Sequence, residues 1–416
     1  MVFDAIIIGG GLAGLTCGIK LSQQNKKCLV ISSGQSALHF SSGSFDLLNA
    51  LDGHYIENPV QTLDQLIQEN AQHPYAKIGK ENFIKYTAQA KQQLIDADIP
   101  VIGDAHKNHY RITSMGSLKP TWLSVKDFAV SDSLDALPWK KVSIFNITGF
   151  LDFHPNFIAD ELKTKGVASE TYFIDLPELE NLRRNPSELR ATNISRVFDN
   201  KESLNSLAEI IKKGINDSEA IIFPACIGLQ SNTVEELSEM VGKPIYLIPT
   251  FPPSIAGIRS QQSLKRYFEK LGGVYMLGDM VMKITIDADK VTQVYTYNHS
   301  DIPFVGKNTV LATGDFFSKG LIASRTKVFE PIANLDVDFE PNRQDWYANN
   351  FFDDQNYQRF GVKTNKDFKV YKNGSLIDNM YAIGAVLSQF NAMEEGCGAG
   401  VSLLTALHVA DEIIKK

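Results

Sequence analysis

The chain has 416 residues, 44% of them hydrophobic and 21% charged, which is the composition of a globular protein long enough for two or three domains. Its 41 Lys and Arg against 48 Asp and Glu leave a formal charge of −7, so the basic stripe needed to follow a nucleic-acid backbone is not expected. No apolar run approaches the ~20 residues of a membrane-spanning helix, and the stretch from Ala5 to Leu21 follows Asp4 rather than a basic segment, so the expectation is a cytoplasmic protein.

Residues 3 to 8 read as a short buried strand, because a brief β-branched run closed by glycine suits a parallel sheet covered on both faces. Apolar positions at Leu12, Leu15 and Ile19 then predict a helix to Gln23, and a second strand over 28 to 31 completes a β-α-β unit. Polar helices are expected over 61 to 71 and 81 to 97, within an inserted α+β domain spanning 61–264. The prolines between Ile248 and Ile258 exclude regular helix there and mark its end. A helix over 263 to 271 and strands at 274 to 277, 281 to 286 and 291 to 297 return the chain to the first domain, which comprises 1–60 and 265–416. Two further strands end in glycine turns at Gly314 and Gly384, and a last helix is expected from Val401 to Ile414. The fold class is therefore α/β, a Rossmann-like flavoprotein fold with an insertion.

Gly9-Gly10-Gly11-Leu12-Ala13-Gly14 fits G-x-G-x-x-G between a strand and a helix. In such a turn Gly9 permits the tight bend, Gly11 lets backbone amides approach a pyrophosphate, and Gly14 allows close helix–strand packing. The acid that usually holds the adenosine ribose is missing, since Ser32 and Ser33 stand at the end of the second strand. This makes FMN a candidate cofactor beside FAD. The hydroxyls and amides of Ser41, Ser42, Gly43 and Ser44 can wrap phosphate or a flavin edge, or form a plain surface turn. Asp315 after Gly314 can accept from ribityl hydroxyls or cap the next turn. Gly398, Ala399, Gly400 and Val401 lead into the last helix, whose N-terminus favours negative charge on a reduced flavin ring.

No metal site is expected. His106 and His109 have the spacing of ligands but lack a third, and Cys17, Cys28, Cys226 and Cys397 form no C-x-x-C pair. The run Arg183, Arg184, Arg190 and Arg196 reads as a solvated face or an anion site. His39 as proton relay and Arg259 as anion anchor are the candidate catalytic residues.

With the glycine turn, Thr313-Gly314-Asp315 and Tyr381-Ala-Ile-Gly384 in place, the chain resembles flavoproteins of the fumarate-reductase type. The segments 35–48, Arg111-Ile-Thr with 119–124, 252–259 and Glu395-Gly-Cys-Gly-Ala-Gly-Val401 narrow the resemblance to the B-subunit family of the anaerobic glycerol-3-phosphate dehydrogenases. That resemblance implies an FMN-bearing protein working with an FAD-bearing A subunit to oxidise sn-glycerol 3-phosphate to dihydroxyacetone phosphate. It also implies an iron–sulfur C subunit that attaches the pair to the inner membrane, with electrons passing to quinone and then to fumarate or nitrate. Ala385 departs from the Glu usual after this turn in fumarate reductases. A self-sufficient FAD-dependent dehydrogenase and a flavin-binding assembly protein without redox cycling are the alternative readings.

Overall fold

The computed structural model describes residues 2–185, 187–229 and 232–416. The chain divides into two compact units, one of residues 1–37, 46–97 and 263–416, the other of 38–45 and 98–262.

The first unit is built on a six-stranded sheet. Its order is Val274–Leu277, Cys28–Ser32, Val2–Ile8, Val305–Leu311, Ser375–Ala382 and Lys369–Lys372. The first five strands are parallel and only the last pair is antiparallel. Ala5, Ile6, Ile7, Leu29 and Val30 are fully buried, as the unbroken apolar runs require of a sheet covered on both faces. The helix Leu12–Ser22 and the final helix Gly398–Ile414 are buried along most of their length. The final helix begins three residues earlier than expected, at Gly398.

Helices Pro59–Glu69, Pro74–Ile78 and Lys80–Asp96 belong to this first unit, whereas the sequence places 61–264 in the insertion. Their polar composition hides the reason. Phe83, Tyr86, Ala90 and Leu94 form one buried stripe, and Lys85 and Tyr86 reach Asp411 on the final helix at 2.7 and 3.1 Å. Gln93 adds a 3.2 Å hydrogen bond to the Thr16 carbonyl on the first helix. Contacts this distant in sequence carry no local signal.

The second unit combines short antiparallel sheets with a four-stranded parallel one, ordered Ala168–Ile174, Lys141–Ile147, Ala220–Pro224, Ile245–Ile248. The segment 38–45 joins this unit because Ser44–Phe45 pairs with Leu123–Val125. Regular helix starts at Ile255, inside the stretch expected to be extended. Ser254 explains it, since its hydroxyl accepts from Gly257 N–H at 3.1 Å as a helix cap, directly after the prolines. Among the described residues no helix is long and apolar enough to cross a membrane.

Candidate flavin site

The carboxyl ends of the parallel strands in the first unit converge on the glycine turn. Gly9 N–H donates to Ile31 O and Ala312 N–H to Ile8 O, both at 2.8 Å, so three strands end at one level. Gly9 has φ +117°, and a Cβ there would sit 2.1 Å from Ala312 O. A Cβ on Gly14 would lie 1.9 Å from Gly9 O, which is the close helix–strand approach expected of the third glycine. Gly11 is different. A Cβ there would meet only Ser36 Cβ at 3.6 Å, so its α-carbon faces open space at the start of a helix with no side-chain cap.

Gly384, at φ +71°, brings the fifth strand's end beside this turn. A Cβ on it would stand 2.8 Å from Ala13 Cβ and 3.4 Å from Ser402 Oγ, and its N–H donates to Thr405 Oγ1 at 3.0 Å. The opening turn of the final helix thus lies beside the first helix through Gly384. The final helix also lacks a side-chain cap, although Gly400 N–H donates to Asp46 O at 2.8 Å, so its first two amides and those at Leu12 to Gly14 present partial positive charge. Thr313 Oγ1 and Asn49 Oδ1 are buried without partners in this unit. An open cradle at Gly11, two uncapped helix starts and orphaned polar atoms fit a flavin bearing a phosphate.

Ser32 is buried and donates to Gly34 O at 3.0 Å, while Ser33 is exposed. Tyr275 places its hydroxyl 3.3 Å from Gly10 O, close against the turn. Asp315 accepts from Phe317 N–H at 3.0 Å, so one carboxylate oxygen caps a turn after Gly314. Gly398 and Ala399 are half-buried, and Gly400 and Val401 are buried.

The remaining candidates belong to the other unit. His39, Ser41, Ser42, Gly43 and Ser44 belong to the second unit. Ser41 Oγ accepts from Gly43 N–H at 3.2 Å, and Ser44 Oγ lies 3.2 Å from Ser124 Oγ. Burial holds the His39 imidazole below its usual pKa. Arg259 is 3% exposed, with Nη1 donating to Gly228 O at 3.0 Å and Nη2 3.4 Å from Asp127 Oδ2. The guanidinium is thus tied internally through Nη1 and Nη2, while its buried Nε has no partner. Arg183 pairs with Asp175, and Arg190 with Asp152. His109 is buried 2.9 Å from Ser124 Oγ, and His106 is exposed.

Sequence reading missed a buried cluster in the first unit. His73 Nε2 lies 3.1 Å from Glu395 Oε2, which also accepts from the Cys397 thiol at 3.2 Å. His73 Nδ1 accepts from Tyr75 N–H at 3.0 Å, so the ring proton sits on Nε2 and is directed at Glu395. These groups have the donor types of a metal site. A metal on Nε2 would require an imidazolate, because Nδ1 already accepts a hydrogen bond from a backbone N–H, and the cluster is therefore a hydrogen-bond chain. Burial raises Glu395, but the bonds from His73 and Cys397 outweigh it and leave the carboxyl below its ordinary pKa. Burial and the adjoining carboxylate push the Cys397 thiol far up. Only the Glu-Gly-Cys-Gly spelling before the last helix hinted at this cluster; His73 gave no local sign.

A parallel sheet with a glycine turn at its switch point defines a protein of the dinucleotide-fold class. The family model described as "FAD binding domain" matches residues 4–401. The B subunit of anaerobic glycerol-3-phosphate dehydrogenase from Yersinia enterocolitica serotype O:8 is 45% identical, covering 100% of this chain and 98% of its own. The protein of that name from Pasteurella multocida is 39% identical over 99% of each chain. The chain belongs to the B-subunit family of the anaerobic glycerol-3-phosphate dehydrogenases. Among solved structures, 3-ketosteroid-Δ4-(5α)-dehydrogenase from Rhodococcus jostii RHA1 aligns over 100% of this chain and 97% of its own, with TM-score 0.45 and 9% identity.

Proposed function

We propose that this chain is the electron-transferring flavin subunit of a glycerol-3-phosphate dehydrogenase complex. In this reading an FAD-bearing A subunit oxidises sn-glycerol 3-phosphate to dihydroxyacetone phosphate, releasing two electrons and two protons. An iron–sulfur C subunit holds the pair at the inner membrane, and the electrons continue to quinone, with fumarate or nitrate as terminal acceptor.

The observation that carries the reading is the open α-carbon of Gly11 at an uncapped helix start, within a chain whose full length aligns with B-subunit relatives. Gly9, Gly11 and Gly14 would hold the cofactor phosphate, Gly314 and Asp315 the ribityl chain, and Gly384 and Gly398 to Val401 the ring. When bound, a flavin accepts an electron pair and releases electrons singly. The protein's part is to fix it between two helix N-termini, which favour its reduced, anionic form. Neither His39 nor Arg259 is needed for substrate chemistry when another protein of the complex performs the oxidation.

FMN is the proposed cofactor. No carboxylate stands at Ser32 to hold an adenosine ribose, and the Tyr275 hydroxyl lies against Gly10. The family model's description favours the second reading, FAD. Acid extraction and chromatography of the bound cofactor separates the two. Anaerobic mixing of the assembled complex with glycerol 3-phosphate tests the electron-transfer role: this chain's flavin must bleach during turnover, and a flavin that stays oxidised while product accumulates defeats the proposal.

A further inference from the structure

The first unit carries an exposed apolar surface formed by two loops. Phe351, Phe352 and Met393 are 86%, 91% and 81% exposed, and the two phenyl rings contact edge to face at 5.4 Å between centroids. Adjacent large side chains this open to water are unusual on an isolated protein surface and mark an interaction site. The surface is also built. Gln355 is buried beneath it, donating to Asn350 O and Asp353 O at 2.9 Å each and accepting from Ala348 N–H at 3.0 Å. Arg359 bridges Asp354, at 2.6 Å, and Glu394, at 2.9 Å, tying the phenylalanine loop to the Met393 loop. Ordering these loops before binding lowers the entropic cost of association.

Charge selects the occupant. Asp353, Asp354 and Glu394 line the groove beside the rings, and among the described residues no lysine or arginine lines it. Against the single bridging guanidinium of Arg359 they leave two negative charges. An anionic lipid surface would be repelled, and so would a second copy presenting the same patch. We propose that Phe351, Phe352 and Met393 form the docking surface for the companion A subunit, the one that oxidises the substrate, which offers an apolar pocket rimmed by Lys or Arg. This inference rests on the functional reading above.

The test uses the full chain and its companion subunit, purified and recombined, with the dissociation constant followed by sedimentation. Phe351→Ser with Phe352→Ser should weaken association about 100-fold, while flavin content and melting temperature stay unchanged because both side chains lie in water. Asp353→Lys should weaken it about tenfold at low salt and less at high salt. Wild-type association that the double variant retains in full overturns the docking surface. Failure of the wild-type chain to bind the companion defeats the functional reading itself. Binding of wild type, but not of the double variant, to phosphatidylglycerol vesicles would show that a membrane occupies the surface and overturn the proposal.

Discussion

His73 Nε2 and Glu395 Oε2 stand 322 residues apart in sequence and 3.1 Å apart in space, with the imidazole wholly buried. Glu395 also fixes the chain before the last helix through its backbone, since its carbonyl accepts from Asn49 N–H at 2.8 Å. Tyr75, two residues after His73, donates to Leu47 O at 2.6 Å. The pair therefore holds three remote segments around the start of the final helix, where a flavin ring is proposed to rest.

Glu395→Gln should destabilise the protein by about 2 kcal/mol at neutral pH, as expected for hydrogen bonds to a charged acceptor. The folded carboxyl titrates below its ordinary 4.5. Its contribution is complete above that value and disappears as pH falls through the lower, folded pKa. Urea unfolding of both proteins from pH 7 to pH 3 checks this: the gap should stay constant at first and narrow only below about pH 4.5. A gap that is already closing at pH 6 would contradict the assignment.

Gly11→Val should abolish flavin retention without unfolding the chain. Gly11 has φ −85°, which any residue adopts, and its Cβ direction is open, so the apoprotein should lose no more than ~1 kcal/mol. The added methyl groups occupy the space assigned to phosphate. Visible absorbance of the purified variant is the measurement, and a fully loaded yellow protein would refute the placement.

Arg259→Ala should cost about 3 kcal/mol by leaving Asp127 buried and unpaired. Burial already lifts the Asp127 carboxyl above its ordinary 3.8 despite the guanidinium. Without Arg259 it rises further, so the variant should become progressively less stable as pH increases from about 4. Adding Asp127→Asn should recover much of the loss. A double variant no more stable than Arg259→Ala alone would show that the two residues do not act as a pair.

All four cysteines are buried, and burial raises every thiol, Cys28 to about 12. Native protein should therefore leave an aromatic disulfide reagent uncoloured at pH 8, and four thiols should react once denaturant is added. Rapid labelling of Cys397 in the folded state would mean that the chain of hydrogen bonds to Glu395 and His73 opens readily.

What the sequence determined by itself lay in short segments with local rules. A strand, a glycine turn and a helix within the first 22 residues were legible because two of the glycines answer a steric demand of the turn: Gly9 against Ala312 O, Gly14 against Gly9 O. The glycine ends at Gly314 and Gly384 were readable for the same reason. Tertiary structure alone decided the rest. The polar helices at 59–96 joined the first unit because a single apolar stripe found the final helix, and 38–45 joined the second through a strand pairing with residues 80 positions away. Arg259 became an internal tie and His73 met Glu395 because burial removes water as a partner and forces polar groups to find one another. That pairing depends on distances in space, which spacing along a chain does not encode.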